Sequence, residues 1–135
     1  MRFQWVGGEK PQLLRAGMRY CRDLVEELHP YYVLVDFHGM PPIEMRDELW
    51  MSVHWFPWVS CRPLRGVAVI YSPGQLHNQM AVEAMLRVGR QLVHYQLQVF
   101  EDALAAYDWF TGGDTAVGQR LQAEWEDAPP RPLSI

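Results

Sequence analysis

Asp36 and His38 are the residues of this chain whose types and spacing come closest to chemistry. They lie two apart at the end of the apolar run in Tyr31–Pro42, YYVLVDFHGMPP. On a strand, residues two apart point to one side. A carboxylate there can orient an imidazole and raise its basicity, which would supply half of a hydrolytic site. The plainer alternative is that Asp36 accepts loop N–H groups at a strand end while His38 is solvated. The chain has no GxSxG elbow and no recognisable oxyanion loop to favour the enzyme.

Other candidate chemistry is thinner. His54, His77 and His94 could join His38 as metal ligands, but none shows HxxxH or HxH spacing with another His or Cys, so no metal is expected. Gly7-Gly8 before a helix lacks the Walker and dinucleotide fingerprints and reads as a strand-to-helix turn. Ser72, Gly74 and Gln75 top an apolar strand, where backbone N–H groups could hold an anion; an ordinary capped helix is the plainer reading. Trp50, His54, Trp55, Phe56 and Trp58 form the densest aromatic cluster, with Met40, Met45 and Met51 nearby. One helical stripe cannot bury them all, so part of the cluster is expected at an interface or lining a groove. The alternative is that Trp58 folds back on the core.

The elements that would position these residues alternate. Phe3–Val6 is a short strand, and a helix runs from Pro11 to His29 on the stripe Leu14, Gly17, Cys21, Leu24 and Leu28. The second strand ends at Asp36. Pro41-Pro42 opens a second helix, with Leu49, Trp50, Val53 and Phe56 on one face, which Pro57 stops. Trp58–Pro63 is a loop. Gly66–Tyr71 is an apolar strand of the kind covered on both faces. Ser72-Pro73 caps a third helix on Leu76, Met80, Ala84, Val88 and Leu92, with Ala81 and Met85 beside them. Leu97–Phe100 is the fourth strand, and Glu101 or Asp102 caps a helix to Phe110. Ala116–Glu126 is weakly amphipathic, and Pro129, Pro130 and Pro132 mark a tail. This order implies parallel strands with right-handed crossovers. We expect one α/β domain over residues 1–113, with a four- to five-stranded, mainly parallel sheet and four helices. Residues 114–135 are expected as a partly helical, then proline-rich extension.

Composition narrows the function classes. The chain has 135 residues, 49% of them hydrophobic, and a net charge of −4. A single core is the expectation at this length. No basic footprint points to nucleic acid. Cys21 and Cys61 are isolated and read as reduced thiols. No apolar run is long enough to span a membrane, and the start lacks a signal-peptide core. The expectation is a soluble cytoplasmic protein without a cofactor.

Three phrases carry a resemblance: Tyr32-Val33-Leu34-Val35-Asp36, Gly66-Val67-Ala68-Val69-Ile70, and the ending from Gln98 to Phe110, QVFEDALAAYDWF. On these the chain resembles the STAS/SpoIIAA-like group of bacterial proteins, over about Phe3 to Phe110. The resemblance implies a non-catalytic protein-interaction or regulatory module. Members usually open with a β-hairpin, whereas only one strand precedes the first helix here. Phospho-regulated members carry a Ser after the Asp-ending strand, whereas residues 37–43, FHGMPPI, hold no Ser or Thr. The phospho-switch therefore does not carry over. The open sheet edge and the surplus aromatics lead us to expect self-association, as a homodimer. The alternatives are a small apolar-ligand or lipid-binding domain and a hydrolase-like enzyme using Asp36 and His38.

Overall fold

A computed structural model describes residues 1–5, 10–71, 74 and 76–129. Four strands form one sheet: β1 (Arg2–Gln4), β2 (Tyr32–Asp36), β3 (Gly66–Ile70) and β4 (Gln96–Phe100). Their spatial order is their chain order, and every neighbouring pair is parallel. The α/β class with parallel strands is as the sequence predicts. Val6, Gly7, Gly8, Ser72, Pro73 and Gln75 lie outside the described residues, as do residues 130–135.

Sequential order has a consequence for the helices. If each crossover is right-handed, every one returns on the same side of the sheet. The packing follows that rule. Helix α1 (Gln12–Leu28), helices α2 (Met45–Trp50) and α3 (Phe56–Ser60), and helix α4 (Leu76–Leu92) all contribute to one core. From the sheet that core takes Phe3, Val33, Val35, Val67 and Val69. The opposite face presents Leu34, Ala68 and Ile70 to helix α5 (Ala103–Thr111). Helix α6 (Thr115–Asp127) packs on α5, with Gly118 buried against Tyr107. Asp102 caps α5 by accepting from the Ala105 N–H at 2.8 Å, and Asp114 caps α6. The described residues form five helical rods, because α2 and α3 run on as one: four lie within residues 1–113, and α6 lies in the extension that follows.

That rod departs most from the sequence reading. Residues 41–44 are not helical, and the helix begins at Met45 instead of at the proline pair. Asn78 of α4 explains this: it donates to the Pro41 carbonyl at 3.0 Å and accepts from the Ile43 N–H at 2.9 Å. The stop at Pro57 is also overturned. Met51–Trp55 is a π-helical turn, in which the Phe56 N–H reaches the Met51 carbonyl, and α3 continues through Pro57 to Ser60. In a regular α-helix the Pro57 ring would meet the carbonyl four residues back. The wider π turn just before it moves that carbonyl aside.

The extra residue in the turn also decides which face is buried. Asp47, Met51 and Val59 face inward, while Leu49 and Val53 stand in solvent. Helix α4 repeats the inversion in part, since only Ala81 and Met85 of its predicted stripe are buried. Its buried side is Asn78, Ala81, Val82, Met85, Leu86 and Gly89, and the predicted stripe of Leu76, Met80, Val88 and Leu92 is exposed. Gly89 is inward because the Phe56 ring lies over it, 3.4 Å from where a Cβ would sit.

Candidate functional site

Strand β2 delivers Asp36 to its C-terminal end on the α5 face, alternating with inward Val33 and Val35. The ladder continues one bond further, as the Phe37 N–H donates to the Ile70 carbonyl at 2.9 Å. The chain then turns tightly, with the Met40 N–H on the Phe37 carbonyl. Gly39 makes the turn at φ 73°, and a Cβ there would lie 2.5 Å from the Trp5 carbonyl oxygen. Only glycine suits both demands.

Within this turn the structure brings the predicted pair together. Asp36 Oδ1 accepts from the His38 N–H at 2.9 Å and lies 2.6 Å from His38 Nδ1. An ionised carboxylate only accepts, so beside it Nδ1 carries the hydrogen, which in the neutral ring leaves the lone pair on Nε2. The His38 side chain is 42% exposed and that of Asp36 is 6% exposed. The ring is therefore oriented from a buried anchor and open to solvent at its other nitrogen.

Arg2 completes the cluster. Its Nη2 lies 3.5 Å from Asp36 Oδ2, and its Nη1 donates to Gln122 Oε1 at 2.9 Å and to the Tyr107 hydroxyl at 3.3 Å. The guanidinium also sits 4.3 Å from the Trp125 ring centre. Sequence reasoning missed Arg2, which lies 34 residues from its carboxylate. The signal is the parallel register, Arg2 opposite Leu34, which places it on the face that Asp36 shares.

A sequential sheet has no point where strand order reverses, and that point is where open α/β folds form their crevice. Consistent with this, two cavities among the described residues are lined by neither Asp36 nor His38. The first is a wholly apolar space of about 60 Å³ inside the larger core, reached by Cys21, Met51, Trp55, Phe56, Trp58 and Val82 among others. It is smaller than the ~150 Å³ apolar cavity known to admit benzene, and far below the ~300 Å³ at which ligand pockets begin.

The aromatic residues divide between core and surface. Met40 is 1% exposed and belongs to the core. Trp55 donates its Nε1–H to the Met18 carbonyl at 3.1 Å and meets Phe56 edge-on. Trp58 lies in α3, half-buried at the edge of the core, donating its Nε1–H to Glu26 Oε1 at 2.9 Å and flanked by Arg22 and Arg62. Trp50 lies beside His54 and within reach of Arg15 and Arg19, and Arg15 also bonds the buried Asp47 at 2.8 Å. Gly74 has φ 97° with open space around it, whereas Ser72 and Gln75 lie outside the described residues.

The apolar surface lies elsewhere. Met45, Leu49 and Val53 form one exposed row four residues apart, and Leu76, Met80, Ala84, Val88 and Leu92 form another. Among the described residues, no three His, Cys, Asp or Glu side chains gather as a metal site. No helix among them is long and apolar enough to cross a membrane.

Comparison with protein-family models, with curated proteins and with solved structures found no match to this chain. The geometry itself defines an α/β protein with a four-stranded parallel sheet, whose helical layer carries two ordered apolar rows.

Proposed function

We propose that this chain is a STAS-like protein-interaction module without a phospho-switch, acting through self-association. One observation carries the reading. Among the described residues, seven of the eleven large hydrophobic side chains that stand exposed belong to the rod that begins with α2 or to α4: Met45, Leu49, Val53, Leu76, Met80, Val88 and Leu92. Each is more than half exposed. Scattered exposed apolar residues are ordinary on a soluble protein, but ordered rows mark surfaces that are covered in use. The absence of a hydroxyl in residues 37–43 removes the phosphate from the expected regulation. Sedimentation velocity from low to high micromolar concentration tests the reading. A species of twice the monomer mass is expected, and a monomer throughout overturns it.

A second reading rests on the 2.6 Å contact between Asp36 and His38. An imidazole oriented in this way and open at Nε2 is suited to accept a proton from water or a hydroxyl. In that reading the protein is a hydrolase-like enzyme. Any hydrolytic activity of the wild type on simple esters would then disappear in His38→Ala and fall sharply in Asp36→Asn. Activity retained in His38→Ala ends this reading.

A further inference from the structure

We propose that the cleft at the N-terminal edge of the sheet binds a small zwitterion, a free α-amino acid with an aliphatic side chain. The site is separate from the apolar rows that carry the self-association reading, and it stands or falls without them.

The cleft lies between the last turn of α1 and the loop that leads into β3, and its volume is about 270 Å³. That is close to the ~300 Å³ at which ligand pockets begin, so the occupant is a small one. Val25, Glu26, His29 and Pro30 form one wall, and Arg62, Pro63 and Leu64 form the other. The two walls are fixed to each other. The Tyr31 carbonyl accepts from the Arg65 N–H at 2.7 Å, and the Arg65 guanidinium sits 4.6 Å from the Tyr31 ring centre. A cleft preformed in this way loses little freedom when it is filled.

Charge decides the occupant. Glu26 and Arg62 line the same cleft, yet they form no ion pair with each other. One indole places both. Trp58 donates its Nε1–H to Glu26 Oε1 at 2.9 Å, and the Arg62 guanidinium sits 5.2 Å from the centre of the Trp58 ring. Among the described residues, no carboxylate lies within ion-pair distance of Arg62, and its buried Nε has no acceptor. Opposite charges held apart across one cleft complement a ligand that carries both. The ligand carboxylate meets the Arg62 guanidinium, whose planar fork suits it.

The helix end receives the ammonium. The last turn of α1 carries Glu26 and Glu27 and no basic residue, the reverse of what the dipole of a helix C-terminus favours. Arg22 lies 3.6 Å from Glu26, and an exposed pair of this kind is worth little. His29 adds a separate observation. It closes α1 at φ 48°, a left-handed conformation in which glycine is the usual residue. An imidazole is thus held at the cleft against the backbone's preference. Its Nδ1 lies 3.3 Å from the Glu27 carbonyl. A carbonyl only accepts, so Nδ1 carries the hydrogen and the neutral ring keeps a lone pair on Nε2. Val25, Pro30, Pro63 and Leu64 leave an apolar remainder for an aliphatic side chain.

Isothermal titration calorimetry on the full chain tests the site with L-leucine, N-acetyl-L-leucine and L-leucinamide. Leucine is expected to bind saturably, with a dissociation constant of about 1 mM or below. N-acetyl-L-leucine lacks the ammonium and L-leucinamide lacks the carboxylate, so each is expected to bind at least about tenfold more weakly. Glu26→Gln and Arg62→Gln are each expected to weaken leucine about tenfold or more. In Arg62→Gln the preference for leucine over leucinamide is expected to vanish, which a merely structural arginine would not cause. Thermal unfolding is the folding control, and the three compounds test the wild type even where a variant folds poorly. No leucine binding at about 10 mM, equal binding of the three compounds, or leucine binding unchanged in both folded variants overturns the inference.

Discussion

The indole of Trp5 occupies the space that a side chain at Gly17 would need. Trp5 follows β1 and is buried, edge-on to Phe3 and stacked with Phe37. Gly17 lies on the buried face of α1, and a methyl there would land on the indole Nε1 with Cε2 at 3.0 Å. The glycine is thus what lets the first strand's end dock under the first helix.

Gly17→Ala sets two effects against each other. Helix propensity alone favours alanine by about 1 kcal/mol. Overpacking a filled core costs about 1–3 kcal/mol. Trp5 is held by Phe3 and Phe37 and has little room to retreat, so we expect a net loss of about 1–2 kcal/mol. Urea unfolding checks it, and a variant at least as stable as wild type would show that the ring moves freely. Trp5→Phe in the same chain, by shortening the ring system, should return part of the loss.

Arg2 and Asp36 form a second relationship with a definite sign. Their side chains are 11% and 6% exposed, so neither charge is solvated by bulk water. Removing one partner of a buried pair costs about 3–5 kcal/mol, because the other charge is left without compensation. His38 still donates to Asp36 from its backbone, which places Arg2→Met at the low end, about 3 kcal/mol. Arg2→Met with Asp36→Asn removes both charges and should lose less than the sum of the singles. Strict additivity in chemical denaturation would mean that the 3.5 Å contact carries no coupling. The same cycle bears on His38. If Asp36 is chiefly a structural carboxylate, Asp36→Asn lowers stability without changing any activity that depends on the imidazole.

The strands were legible from residue type because their signal is local. Val33-Leu34-Val35 and Val67-Ala68-Val69-Ile70 are buried on both faces, and a continuous apolar run is all that such a strand requires. The approach of Asp36 to His38 was legible for a similar reason, since two residues in one turn share a side. Helix α4 was misread because it is apolar on two sides. The side that packs inward includes Asn78 and Gly89, chosen for a loop's backbone and for the Phe56 ring, and neither adds to a hydrophobic stripe. The rod starting at α2 was misread because Asp47 is buried against Arg15, and because a π turn shifts the helical phase after Met51. Arg2 was out of reach for a third reason. Its role depends on strand register, which is settled by tertiary pairing rather than by any neighbour in sequence.

Cys21 and Cys61 should separate in reactivity and in their effect on stability at high pH. Cys61 is exposed, whereas Cys21 is buried in the larger core and burial pushes its thiol up to about 12. Burial likewise pushes Tyr95 up to about 12, while its hydroxyl donates to the Val59 carbonyl at 3.1 Å. The thiolate is the reactive form, so a neutral alkylating reagent at mildly alkaline pH should modify Cys61 and leave Cys21 until the chain unfolds. The sign of the linkage follows from the same shifts. Below about pH 8 both groups are protonated in the folded and unfolded chains, and neither alters stability. Above the unfolded values of 9.0 and 10.0, the unfolded chain releases protons that the folded chain retains up to about 12. The unfolded state then binds fewer protons, so stability falls as pH rises, by up to about 1.4 kcal/mol per pH unit for each group. Wild type should therefore lose stability between about pH 9 and 11, and Cys21→Ala with Tyr95→Phe should show a markedly shallower decline. Parallel curves for the two proteins, measured by urea unfolding across that range, would mean that other groups govern the alkaline transition.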